Sequence, residues 1–177
     1  MTTIASIHAE EILDSRGKPT VYCSISTSNG HEACASSPSG ASTGILEAHE
    51  LRDNDPKRYG GQGVLKAVGH INNIIAPKLI GMNPSDQDVI DQHIIELDGQ
   101  PNKSHLGANA LLPVSLAVAK VAAKSNGLSF CDYLSGGNHY LLPTPMINII
   151  NGGAHANNHL SIQEFMIIPW GFDTFSR

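Results

Sequence analysis

Apolar residues change their spacing several times along this chain, and each change marks a different element. Val21, Cys23 and Ile25 alternate with Tyr22, Ser24 and Ser26. That is the period-two pattern of a strand with one buried face. An earlier strand is expected through "TIASIHAEEIL" (3–13), with "DSRGKPT" (14–20) as the turn between them, punctuated by Gly17 and Pro19. Asn29-Gly30 signals a second reversal, expected as a type I′ turn with positive φ at both residues. The result is an antiparallel meander ending at the loop "SSPSGASTG" (36–44).

The middle of the chain moves to helical spacing. Val64, Leu65, Val68, Ile71, Ile75 and Leu79 form one apolar stripe at three- and four-residue intervals, fraying near Pro77 and Gly81. "PSDQDVIDQHIIELDG" (84–99) predicts a helix with Ser85 as N-cap and a glycine stop. "GANALLPVSLAVAKVAAKSNG" (107–127) predicts an Ala/Leu/Val helix closed by Asn126-Gly127, with Pro113 tolerated near its first turn or as a kink. A short helix is expected within "LSFCDYLSG" (128–136). Beyond the prolines at 143 and 145 the pattern changes again. "MINII" (146–150) and "SIQEFMIIP" (161–169) are short, Ile-rich runs that read as fully buried strands, joined by the polar, glycine-rich "NGGAHANNHL" (151–160). Residues 1–141 therefore read as one domain and 142–177 as the start of another.

Composition narrows the function. The 177 residues are 41% hydrophobic and 15% charged, enough to bury a core. A net charge of −5 with no Lys/Arg block disfavours nucleic acid. No apolar run reaches the roughly 18 residues of a membrane helix, and the N-terminus lacks a secretory pattern. Three cysteines outside any CxxC spacing point to a reduced, cytoplasmic setting. An acidic protein that handles an anionic substrate needs local positive charge, which metal ions can supply.

Several motifs fail as chemistry. The loop at 36–44 has no Gly-Lys-Ser/Thr ending, and "GGQGVLK" (60–66) has Lys66 where a dinucleotide fingerprint needs its third glycine. On composition alone the loop is an ordinary surface connection. His155 and His159 have the i,i+4 spacing of helical zinc ligands, but "HANNH" lacks the glutamate and follows a loop-forming "NGG". Glu164 stands out, a carboxylate in an otherwise apolar strand. It is either on an edge strand with one wet face or at a strand end facing a cleft. Gln163, its neighbour, points to the opposite face if the strand is regular.

"DSRGKPT", "PSGASTG", "EAHELRD", "LDGQPNKSHLGANA", "INIINGGAHANN" and "IQEFMIIP" together closely resemble the N-terminal part of enolase, in that family's order and roughly its spacing. The resemblance implies an α+β N-terminal domain, a three-stranded antiparallel meander with helices. It is followed by the start of an α/β (TIM-like) barrel. It implies reversible dehydration of 2-phosphoglycerate to phosphoenolpyruvate, with Mg2+ as cofactor lowering the barrier to removing a carbon-bound proton. Gly40, Ala41, Ser42, Thr43 and Gly44 resemble the family's mobile lid, with Ser42 matching a magnesium ligand through hydroxyl and backbone oxygen, both hard donors. His155 resembles the histidine that closes over substrate, Glu164 the glutamate that helps the hydroxyl leave, and Gln163 a substrate contact. The family's base, main acid and metal carboxylates match nothing in these 177 residues, so the polypeptide alone is expected to be inactive. The family's usual homodimer is in question: Glu10 and Tyr22 stand where many enolases carry an interfacial arginine and glutamate. The competing reading is a non-catalytic N-terminal module that docks onto a partner.

Overall fold

The structure, a computed structural model, describes residues 2–37, 39–40, 43–138 and 140–175. The chain divides into two compact units: Met1–Ser39 with Ile45–Gly136, and Gly40–Gly44 with Gly137–Arg177.

The first unit opens with a meander, β1 (Ile4–Leu13), β2 (Pro19–Thr27) and β3 (Glu32–Ser37), antiparallel in that order. Alternation decides which face is covered. Val21, Cys23 and Ile25 are fully buried, while Tyr22, Ser24 and Ser26 stay partly exposed. Burial pushes the Cys23 thiol up to about 12, with Cys34 adding to the effect, so Cys23 is a protonated core residue at neutral pH.

Both hairpins use the same three-residue turn. The Gly17 N–H bonds to the Asp14 carbonyl and the Asp14 N–H to the Lys18 carbonyl; Gly30, Thr27 and His31 repeat the scheme. Only Gly17 (φ 73°) and Gly30 (φ 83°) take positive φ in these turns. The type I′ expectation at Asn29-Gly30 is therefore corrected to a type I turn followed by a left-handed glycine. A three-residue loop needs a left-handed residue only at its last position, and the Asn29 side-chain oxygen accepts from the Thr27 hydroxyl at 2.6 Å. In the first turn the Asp14 carboxylate accepts the Lys18 and Arg16 N–H groups, both at 2.8 Å. The Lys18 bond is the main cause holding its carboxyl below the usual range.

One long helical rod follows: α1 (Leu65–His70), a π-helical segment (Ile71–Ile75) and α2 (Ala76–Leu79). Its buried positions include Ala67, Ile71, Ile75 and Leu79, four residues apart throughout. In an α-helix each four-residue step advances about 40°, which would smear these side chains around the rod. The wider π turn keeps them in line. Leu65, expected in the stripe, is 48% exposed because it lies two residues from Ala67 and so on the far side.

Two helices complete the unit's core: α3 (Gln87–Asp98) and α4 (Ala108–Ser125); the short α5 (Phe130–Ser135) follows. Ser85 does not cap α3. Asp86 holds the N-cap position without a side-chain bond, and the Ser85 N–H bonds instead to Asn83 Oδ1. Gly99 (φ 70°) ends the helix as expected. Pro113 lies in the second turn of α4. Asn126-Gly127 closes α4: Gly127 has φ 68°, and the Leu128 N–H reaches back to the Ala123 carbonyl. Ser129 caps α5 by accepting the Asp132 N–H.

Side chains occupy part of each outer edge of the meander. Asn72, on the π segment, donates to the Ala9 carbonyl (2.9 Å) and accepts from its N–H (2.8 Å), occupying the free edge of β1. Lys120 and Lys124, one turn apart on α4, donate to the Cys34 and Glu32 carbonyls on the free edge of β3. Satisfied edge groups cannot recruit another strand.

A strap from His49 to Asp53 is tied down in the same manner. The His49 N–H bonds to the Asn102 carbonyl, and the Ala108 N–H bonds to that of His49. The buried Asn109 amide grips Leu51 twice, accepting its N–H at 2.9 Å and donating to its carbonyl at 3.0 Å. Gly107 (φ 97°) is required here, since a Cβ would lie 2.6 Å from both Asn109 Oδ1 and Leu51 Cβ. At the end of the strap, the Asp53 carboxylate accepts the Leu65 and Lys66 N–H groups at 2.9 Å, capping α1 from a distance in sequence.

The second unit contains β4 (Ile147–Asn151) and β5 (Glu164–Ile167), paired antiparallel. Their connection carries no α-helix, so the chain returns as a hairpin-type excursion. The expectation that both strands are fully buried is corrected. In this unit Ile147, Ile149, Ile150, Phe165 and Ile167 are exposed instead. A two-stranded sheet has only its own side chains to cover it.

Candidate functional site

The connection between β4 and β5 is folded onto itself by backbone bonds. The Gly152 N–H donates to the Gln163 carbonyl, that of Gly153 to Leu160, and that of His155 to Gly152. Asn158 adds two side-chain ties, donating to the Asn151 carbonyl and accepting the Leu160 N–H. Gly152 is buried at the crossing, and a Cβ there would lie 2.5 Å from the carbonyl oxygens of both Leu160 and Ile162. Only glycine lets the two sides of the loop approach so closely. Gly152→Ala should therefore release the loop: amide exchange at positions 152 and 153 accelerates by about an order of magnitude or more, while exchange in the first unit stays unchanged.

This closure brings His155, Gln163 and Glu164 together. The Gln163 amide nitrogen lies 3.1 Å from His155 Nε2, and Glu164 Oε2 lies 3.5 Å from His155 Nδ1. With the amide donating to Nε2, the imidazole proton sits on Nδ1 and faces the carboxylate. The His155 side chain is 26% exposed and that of Glu164 36%, so the group is neither sealed nor fully hydrated. The expectation that Gln163 points away from Glu164 is corrected. Gln163 precedes β5 rather than lying within it, so strand alternation does not govern it.

Glu164 occupies the first position of β5, opposite Asn151. Sequence reasoning passed over its remaining neighbours. Asn148 donates to Asn151 Oδ1 and, at 3.4 Å, to Glu164 Oε2. Residues three apart on a regular strand face opposite ways. The register shift between Asn148 and Ile150 inserts one extra residue and returns Asn148 to the side of Asn151 and Glu164. The signal was available: Asn148 and Asn151 are polar residues in an apolar strand, the same anomaly that singled out Glu164.

The remaining predicted positions lie elsewhere. Ala41 and Ser42 are outside the described residues. Gly40, Thr43 and Gly44 carry no regular secondary structure, and Thr43 and Gly44 are exposed. His159 is exposed, and no group of three or more His, Cys, Asp or Glu side chains able to hold a metal occurs among the described residues. Glu10 and Tyr22 are direct partners across β1 and β2. A hydrogen bond to Cys34 is the main cause raising the Tyr22 phenol, and the Glu10 carboxylate contributes. Among the described residues, no helix is long and apolar enough to cross a membrane.

Two family models match the chain: "Enolase, N-terminal domain" over residues 4–134, and "Enolase, C-terminal TIM barrel domain" over residues 139–177.

Proposed function

Because this chain belongs to the enolase family, whose members are lyases and generally depend on magnesium, we propose that it forms the N-terminal domain and first barrel strands of a phosphopyruvate hydratase. The reaction would be the reversible dehydration of 2-phosphoglycerate to phosphoenolpyruvate in glycolysis and gluconeogenesis. The observation that carries the proposal is the convergence of His155, Gln163 and Glu164 at one hairpin loop. Residues 1–141 are assigned to the N-terminal domain and 142–177 to the barrel; the family matches, which stop at 134 and resume at 139, support two domains with the change a few residues earlier.

Dehydration removes a proton from carbon and expels hydroxide from the neighbouring carbon. A hydroxyl leaves readily only when it gains a proton, so an acid beside it lowers the barrier. Glu164 is assigned that role. The Gln163–His155 contact orients the imidazole toward the Glu164 carboxyl, which fixes the position of that side chain at the loop. His155 closes over the substrate from the same loop, and Gln163 adds a polar contact to it. Bound magnesium would offset negative charge on the phosphorylated acid. The described residues do not form a magnesium site by themselves, since no three acidic or imidazole donors converge. Ser42, in the lid Gly40–Gly44, is assigned as one ligand through its two oxygens, and no step above runs through the ion.

The family's homodimer is the expected assembly of a complete enolase. On this chain the Glu10–Tyr22 pair places a carboxylate and a phenol together on the exposed face of the meander, which favours a cationic partner surface. A cytoplasmic location belongs to the same reading, supported by three free cysteines.

The test joins residues 1–177 to the remainder of an enolase barrel. A barrel of this kind takes about 250 residues, and the barrel match here is confined to 139–177. The folded chimera should convert 2-phosphoglycerate to phosphoenolpyruvate with Mg2+ present, followed by product absorbance. A polypeptide of the 177 residues alone should show no turnover. A folded but inactive chimera, or turnover by the 177 residues alone, overturns the assignment.

A further inference from the structure

The first unit carries a pair of histidines that the proposed chemistry does not use. His70 ends α1, and His105 lies in the loop between α3 and α4. That loop is closed by the buried Asp98 carboxylate, which accepts the Leu106 N–H at 2.6 Å and the Gln100 N–H at 3.0 Å. The closed loop presents a carbonyl to each imidazole. His70 Nδ1 lies 2.9 Å from the Leu106 oxygen, and His105 Nδ1 lies 3.2 Å from the Asp98 oxygen. A carbonyl can only accept, so both rings carry their proton on Nδ1 and leave the Nε2 lone pair available. A backbone carbonyl on the far nitrogen is the usual support of a metal-binding imidazole, setting tautomer and orientation together.

The two rings are neighbours, with centroids 6.4 Å apart and planes tilted by 47°. A metal held by one imidazole nitrogen sits about 2.0–2.1 Å from that atom, hence roughly 3 Å from the ring centre. The centroid separation is close to twice that reach, so a shared ion requires the exposed His105 side chain to turn its Nε2 toward that of His70 and approach it. Both rings hang on one loop, so they are held together whatever the second unit does. We propose that His70 and His105 form a surface site for a divalent transition-metal ion of the zinc, nickel or copper type, bound through both Nε2 atoms with water completing the shell. Magnesium is the wrong partner, because it favours hard oxygen donors whereas imidazole suits the transition series. Asp98 is not a third ligand, since its oxygens are engaged by backbone N–H groups.

The site is independent of the enolase reading and is tested on the 177-residue chain itself. Nine histidines are present in the chain, and those other than His70 and His105 serve as internal controls. Substoichiometric Ni2+ should broaden the imidazole proton resonances of His70 and His105 before those of His155 and His159, whose i,i+4 spacing makes them the rival pair. H105Q and H70Q should each weaken Zn2+ binding measured by calorimetry about tenfold or more. H155Q and H159Q should leave it unchanged, and circular dichroism should show every variant folded. Broadening centred on His155 or His159, no selective broadening at all, or unchanged Zn2+ affinity in both H70Q and H105Q overturns the proposal.

Discussion

Glu164→Gln in the barrel-completed chimera should lower kcat by about 10²–10⁴-fold, the range set by removing a positioned general acid. The substitution keeps size and polarity. The new side-chain amide can still accept from Asn148 and meet His155, so the loop stays closed. What is lost is the capacity to deliver a proton to the departing hydroxyl. The KM for 2-phosphoglycerate should change far less than kcat, because an interaction needed only as the hydroxyl leaves belongs to the transition state. Steady-state kinetics separates the two. A variant that keeps kcat but raises KM would reassign Glu164 as a binding residue. Loss of both, together with rapid exchange at Gly152, would mean that the loop had opened.

Asn109→Ala should destabilise the first unit by about 2–5 kcal/mol, because it strands two partly buried backbone groups at once. The Leu51 N–H and carbonyl both depend on the Asn109 amide, and no other backbone partner meets them among the described residues. The strap also carries Asp53, whose carboxylate caps α1, so its release unties a second helix. Urea unfolding measures the loss as a lower midpoint with an unchanged slope. Leu112→Ala, at an exposed position of the same helix, is the control and should cost far less. Equal effects at 109 and 112 would show that the amide grip contributes little.

The meander was legible because alternation maps directly onto burial: a strand has two faces, and Val21, Cys23 and Ile25 were bound to share one. Gly99 and Asn126-Gly127 ended their helices where expected, since left-handed φ is a local demand that few residues meet. The failures were equally physical. Leu65 was misplaced because it lies two residues, over half a helical turn, from the buried Ala67 and so falls on the opposite side of α1. Gln163 was misoriented because alternation was applied one residue outside the strand. The buried reading of β4 and β5 took apolar composition as burial, although the covering layer must come from elsewhere in space.

The candidate site divides along the same line. Glu164 was conspicuous as a charge among apolar neighbours, and His155 and Gln163 entered through their motifs. Their meeting was not readable, because it depends on Gly152 admitting two carbonyls within 2.5 Å of an absent Cβ and on a bulge that turns Asn148 back toward Glu164. The sequence by itself determined the meander and the glycine stops of α3 and α4, which rest on side-chain periodicity and backbone freedom within a few residues, and it indicated the family through motifs that resemble enolase's. Only the tertiary structure decided which asparagines act as backbone partners, which histidines share a loop and which polar groups converge. Those outcomes depend on hydrogen-bond partners far apart along the chain, 63 residues for Asn72 and Ala9, and no local pattern encodes where such partners come to rest.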